Sequence, residues 1–191
     1  TILILLLPFF SFLILGIGKS GCIQEAVQVL EKDEIPYLVL SLDKDQPYNS
    51  PDQYGCCLGL PDSPVATLYR IAGKRRCVLI FDQLDSLRWT NSHTSNMLDV
   101  CKSMLRQVQQ FNCLEGGQIS CVFAVRKFDY ETDLGLQNLL NPSKEKETNN
   151  IFFEKITVDF LLEENVKNIV GDLYPNLSLR LKMLLRVPFN L

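Results

Sequence analysis

Residues 75–85 read Arg75-Arg76-Cys77-Val78-Leu79-Ile80-Phe81-Asp82-Gln83-Leu84-Asp85, and this stretch decides the fold. Cys77 to Phe81 are five consecutive apolar residues with charge on either side. That pattern predicts a strand buried on both faces, as the strands of a parallel sheet are. Such a strand delivers two acids, Asp82 and Asp85, at its C-terminal end. Upstream, Leu15-Gly16-Ile17-Gly18-Lys19-Ser20 places a glycine turn and a Lys-Ser pair between an apolar run and a helical pattern. A nucleoside triphosphate needs both parts: backbone N–H groups and a lysine for phosphate, a hydroxyl and a carboxylate for Mg²⁺.

Strand and helix patterns alternate along the rest of the chain. Phe10 to Leu15 predicts a first strand. In Cys22 to Lys32, Ile23, Ala26, Val27 and Leu30 share one helical face. Ile35 to Leu42 predicts a second strand, and Asp43 to Leu60, rich in Pro, Asn, Asp and Gly, predicts a long loop. Pro64 to Ala72 has helical spacing with proline at its start. Ser95 to Phe111 is amphipathic, with Met97, Leu98, Cys101, Met104, Leu105 and Val108 inward. Gly116-Gly117 breaks the chain before a fourth strand, Ile119 to Val125, that ends at Arg126. After a polar loop at Asn141 to Asn150, Ile151 to Val158 predicts a fifth strand, and helices follow at Phe160 to Val170 and Leu177 to Val187. Alternation of this kind gives a parallel sheet joined by right-handed crossovers.

The chain's 191 residues fit one domain with a full core, and 47% hydrophobic content suits a three-layer α/β domain. With 19 basic and 22 acidic residues there is no basic excess to mark a nucleic-acid surface. Seven cysteines form no C-x-x-C pair, which argues for a reducing compartment and against a disulfide framework or a zinc site. The expected location is the cytoplasm. The chain begins at Thr1 and stops after Val187-Pro188-Phe189-Asn190-Leu191, so it reads as a fragment of something longer.

Thr1 to Ile17 is almost continuously apolar. A membrane span wants about 20 apolar residues, and this run is shorter, with Pro8 in its middle. A signal peptide wants a basic start and a small-residue cleavage site. A buried strand needs only the last part of the run. Strand is the preferred assignment, placed centrally beside Cys77–Phe81. Membrane association through the apolar N-terminus is the alternative, and residues 1–9 stand as an apolar extension.

The full phosphate-loop pattern is G-x-x-x-x-G-K-[ST]. Gly18, Lys19 and Ser20 match it, Gly16 adds a second permissive residue, and Leu13 stands at the first glycine position. Gly18 allows close approach to phosphate, Lys19 would meet the β- and γ-phosphates, and Ser20 would hold Mg²⁺. The competing assignment is a plain strand-to-helix turn with a solvated lysine. Asp82 would share the Mg²⁺ and Asp85 would orient or activate the attacking water; alternatively both acids cap a turn. Arg126 would sense the γ-phosphate beside Asp82, or else pair with Asp129 or Asp133 on the surface. Pro188 would abut the adenine or begin a lid, or simply end a helix. His93, the only histidine, and Trp89 are assigned surface and packing roles.

From Gly16 to Leu191 the chain resembles the STAND class of NTPases, signal-transduction relatives of AAA+ ATPases. The resemblance rests on GIGKS at 16–20, CVLIFDQLDSLRW at 77–89, ISCVFAVRKFD at 119–129 and LLRVPFNL at 184–191. It implies a sensor role for Arg126, a lid role for Pro188, and a second acidic motif in Asp82-Gln83-Leu84-Asp85. It also implies ATP-driven switching between a closed and an oligomerising state, with flanking effector and repeat domains absent from this fragment.

The expectation is therefore an α/β, three-layer P-loop NTPase with a mostly parallel five-stranded sheet and the start of a helical lid. Residues 10–158 form the core and 159–191 are C-terminal helices leading into the lid. The expected activity is ATP binding with Mg²⁺ and slow hydrolysis in a signalling switch. The alternatives are a degenerate nucleotide-binding scaffold and an AAA+ motor.

Overall fold

The structure, a computed structural model, describes residues 11–15, 19–42, 49–84, 94–114, 116–140, 154–158 and 160–187. Within these, 11–15, 19–20, 94–96 and 154–158 are described by backbone alone. The chain is α/β. Strands β1 (Ser11–Leu15), β2 (Tyr37–Ser41), β3 (Arg76–Asp82), β4 (Gln118–Val125) and β5 (Glu154–Val158) pair in the order β2-β3-β4-β1-β5. Every ladder is parallel.

Parallel neighbours need crossovers, and helices supply them. These are α1 (Lys19–Lys32) after β1, then α2 (Pro51–Cys57) and α3 (Pro64–Ala72) after β2. They continue with α4 (Thr94–Leu114) after β3, and α5 (Lys127–Thr132) and α6 (Leu134–Leu140) after β4.

The period of two along each strand sorts the core into two layers. Cys77, Leu79 and Phe81 of β3, with Ile119, Cys121, Phe123 and Val125 of β4, pack with residues of α2, α3, α4 and α6. The intervening Val78, Ile80, Val122 and Ala124 pack on the opposite face with Ile23, Val27 and Leu30 of α1. The uninterrupted apolar run at 77–81 thus serves two cores at once. Of the inward face expected for α4, Met97, Cys101, Met104, Leu105 and Val108 are buried and Leu98 packs against them.

One strand neighbour differs from expectation. The first strand does not lie beside Cys77–Phe81; β4 stands between them, and β1 pairs with β4 and β5. Both β3 and β4 are apolar on both faces, so composition did not distinguish which would adjoin β1.

The region expected to be a loop at 43–60 contains α2. Ser50 caps it, its hydroxyl accepting from Gln53 N at 3.2 Å, with Pro51 in the first turn. Tyr54 anchors the helix, fully buried against the α4-side core. Pro51 and Gly55 read as chain breakers in sequence, but proline is at home in a first turn. Gly55 is required by close approach, since a Cβ there would sit 2.0 Å from the Asp62 carbonyl oxygen.

Beyond β5 come α7 (Glu163–Val170), a 3-10 turn (Gly171–Asn176) and α8 (Leu179–Leu185). Leu161 and Arg186 close this segment. Leu161 N donates to Arg186 O at 2.8 Å, and Arg186 Nε donates back to Leu161 O at 3.0 Å. Tyr174 is buried beneath Lys182 and Lys167, whose ammonium groups lie 4.9 and 5.5 Å from its ring centre. Among the described residues, no helix is long and apolar enough to cross a membrane. Residues 1–9, the polar loop at 141–150, Trp89 and His93 lie outside the described residues.

Candidate functional site

Four of the sequence-predicted residues, Lys19, Ser20, Asp82 and Arg126, lie at the ends of elements on the sheet's carboxyl edge. The β1→β2 connection, carrying α1, runs past β4 and β3 toward one end of the sheet. The β4→β5 connection runs past β1 toward the other end, with α6 packed on the opposite face from α1. Connections leaving in opposite directions from adjacent strands make a topological switch point between β1 and β4, the position at which open α/β sheets form a ligand crevice.

Three sequence features reach that edge. Asp82 is the last residue of β3. Arg126 follows β4 and occupies the cap position of α5 with extended backbone, φ −72° and ψ 139°. Lys19 and Ser20 open α1, the helix that follows β1. The register brings them to nearly one level: Phe81 pairs with Phe123, and Ile14 with Val125. Arg126 therefore stands one strand over from Asp82 and two residues further out. Standard strand spacings put the two Cα atoms about 8 Å apart.

Face matters as much as edge. Val78 and Ile80 point to the α1 side, so the alternation places Asp82 on that side too. Val122 and Ala124 do the same for Arg126, whose backbone continues the extended conformation. Asp82 is half-buried, and its Oδ1 is closed off from solvent. Arg126 is exposed. The Asp82 carbonyl accepts from Leu42 N at 3.2 Å, which ties the end of β3 to the exit of β2.

Asp85, Gly16, Gly18 and Pro188 lie outside the described residues, and of Lys19 and Ser20 only the backbone is described. Leu13 lies inside β1, paired with Ala124 on one side and Ile156 on the other. Strand β1 runs to Leu15, and α1 opens at Lys19.

One residue at this edge carried no sequence signal. Gln83 has a left-handed backbone, φ 58°, directly after Asp82. Nothing in a glutamine between an aspartate and a leucine announces that conformation.

The donor chemistry at the edge suits an oxygen-seeking cation and an anion together. Mg²⁺ is commonly held through one or two carboxylates plus substrate phosphates rather than by an all-protein cage. A single aspartate beside a cation and a helix start fits that requirement. Among the described residues no group of three or more His, Cys, Asp or Glu side chains forms such a cage. No protein-family model matches the chain, and no curated protein matches it significantly.

Proposed function

We propose that the chain is a nucleotide-binding α/β domain of the P-loop type that binds Mg·ATP, hydrolyses it slowly, and acts as a nucleotide-dependent signalling switch. One observation carries this: Asp82 and Arg126 share the α1 face of the carboxyl edge, next to the switch point where α1 begins. In this assignment Gly16, Gly18 and Lys19 hold phosphate, and Ser20 and Asp82 hold Mg²⁺. The ion would neutralise phosphate charge, in the way such sites work generally.

The chain's own residues have separable roles. The α1 N-terminus directs unpaired N–H groups at an anion. Asp82, held on the end of a rigid strand, fixes one oxygen ligand. Arg126, on a neighbouring strand with its Cα about 8 Å from that of Asp82, would meet the γ-phosphate. Asp85 would orient a water. Pro188 would stand where a lid begins. Self-association and flanking domains belong to the same proposal, as does a cytoplasmic setting.

Binding is tested by calorimetry with Mg·ATP on wild type and Lys19→Ala. A charge-assisted phosphate contact predicts at least ~tenfold weaker binding in the variant. Equal affinities would remove Lys19 from the site.

A second assignment, a degenerate domain serving as an interaction scaffold, is favoured by Leu13. Its ladder partners on both sides commit the 13–15 backbone to the sheet, where a longer phosphate loop would leave those N–H groups free. Wild-type protein that binds no ATP at millimolar concentration would decide for the scaffold.

A further inference from the structure

Two described non-glycine residues have left-handed backbones, Glu34 and Gln83. Glu34 is accounted for by the end of α1: its N–H donates to Glu31 O at 3.2 Å, and Ile35 N donates to Leu30 O at 2.9 Å. That is the usual geometry of a helix stop. Gln83 has no helix before it. It sits between the last residue of β3 and Leu84.

The two residues beside Gln83 show what its conformation does. Phe81 lies in the α4-side core, and Asp82 is one step round on the α1 face. An extended residue 83 would return to the α4 side and send Leu84 toward α1. Instead Leu84 is fully buried in the same α4-side core as Phe81. The left-handed residue turns the chain over the edge at once. It leaves Asp82 as the last β3 side chain on the α1 face, while Leu42 N holds the Asp82 carbonyl from the β2 side.

We propose that Gln83 is a positioning residue, whose left-handed backbone turns the chain to the α4 side and so keeps Leu84 off the α1 face of the edge, where Asp82 would meet a Mg²⁺ bound with nucleotide. This rests on the nucleotide assignment above. A left-handed conformation costs an L-residue about 1–2 kcal/mol, is free for glycine and is tolerated by asparagine. Strain of that kind clusters where it orients a working group. Substitutions at 83 can therefore be ordered by their tolerance of this backbone rather than by side-chain chemistry: Gly and Asn tolerate it best, Ala about as well as glutamine, and Val least.

The test measures ATP affinity with Mg²⁺ and in EDTA, and compares the Mg²⁺-dependent gain across wild type, Gln83→Gly, Gln83→Asn, Gln83→Ala and Gln83→Val. The expected result is a gain kept in the Gly and Asn variants and cut at least ~tenfold in Val, with affinity in EDTA within about twofold of wild type throughout. Ala should keep the gain as the wild-type glutamine does, and Gln83→Thr, β-branched like Val, carries the test if Val does not fold. A purely structural residue would lower both affinities in parallel, and that result overturns the proposal. So does a full gain in the Val variant, or in the Thr variant where Val does not fold. Wild-type protein that binds ATP in neither condition overturns the nucleotide assignment itself, and this proposal with it.

Discussion

Phe81 and Phe123 are ladder partners on β3 and β4, and their rings stack with centroids 4.8 Å apart and planes 9° from parallel. Both are fully buried on the α4 side of the sheet. Asp82 follows one of them by a single residue, and Arg126 follows the other by three. The stack adds an apolar contact across the two paired strands just behind the carboxyl edge, on the face opposite the candidate site.

Truncating one ring should show this. Phe123→Ala deletes a fully buried aromatic from a parallel pair, and the expected loss is ~3–5 kcal/mol of unfolding free energy. Urea denaturation checks it; a loss under about 1 kcal/mol would mean that the strands are held elsewhere.

Asn112 makes a different kind of clamp. Its Oδ1 accepts from Ile119 N at 2.9 Å and its Nδ2 donates to Ile119 O at 2.9 Å, so one side chain satisfies both backbone groups at the start of β4. Asn112→Ala leaves both groups without that partner beside a buried residue, at ~1–3 kcal/mol each. Asn112→Asp keeps the acceptor but sets a carboxylate oxygen against Ile119 O, two acceptors in repulsion, so a loss of stability should remain while the Ile119 N–H keeps its partner. Denaturation of both variants, with amide exchange read at Ile119, checks this; wild-type stability of either variant, or exchange at Ile119 as fast in Asp as in Ala, would refute it.

Gly55 is a close-approach glycine. A Cβ there would meet Asp62 O at 2.0 Å and Asp62 C at 2.9 Å, both backbone atoms that cannot rotate away. Gly55→Ala should shift α2 off Asp62 and Ser63, and Ser63 is itself buried, capping α3 and donating to Gln107 at 2.9 Å. The expected outcome is a loss of at least ~1–3 kcal/mol, the cost of overpacking. Thermal unfolding unchanged from wild type would show that the corner yields.

The helices that sequence reading located with little shift carry their own punctuation. Pro64 opens α3 behind the Ser63 cap, and Gly73, with φ 61°, ends it. The buried strands were legible because Cys77 to Phe81 is apolar without interruption and Ile119 to Val125 is broken only by Ser120, and helix α4 because its apolar residues recur at helical spacing. What escaped was decided by tertiary contact. Helix α2 survives on the burial of Tyr54, which its seven residues do not advertise. Helices α5 and α6 are also short, and Asp133 caps α6 through its Oδ1, which accepts from Gly135 N at 2.7 Å and Leu136 N at 3.0 Å. The neighbour of β1 was hidden because β3 and β4 are equally apolar. At the carboxyl edge, the places of Asp82 and Arg126 at the ends of neighbouring strands were legible, but the turn at Gln83 was not, because it is a backbone conformation that its own side chain does not favour.

The thiols supply a pH prediction whose sign follows from burial. Cys77, Cys101 and Cys121 are buried, whereas Cys56, Cys57 and Cys113 are exposed. Burial pushes the Cys77 thiol up to about 11 and Cys101 up to about 12, from an ordinary value of 9.0, and drives Cys121 well above it, with the nearby Cys77 adding to the effect. Below pH 9 both folded and unfolded chains keep these protons, and the thiols make stability no more pH-dependent. Above it the unfolded chain releases protons that the folded chain retains, so the unfolded state binds fewer and stability falls as pH rises. For Cys77 and Cys101 the fall spans 9 to about 11 and 9 to about 12. Urea midpoints measured in reductant from about pH 8 to about pH 10.5 should decline, and Cys101→Ala, whatever its starting stability, should decline with a shallower slope because one proton has left the balance. In the native state a thiol-reactive disulfide reagent should label Cys56, Cys57 and Cys113 first, and reach Cys77, Cys101 and Cys121 only on unfolding. A slope unchanged by Cys101→Ala, or rapid native labelling of Cys101, would show that the α4-side core is open to water.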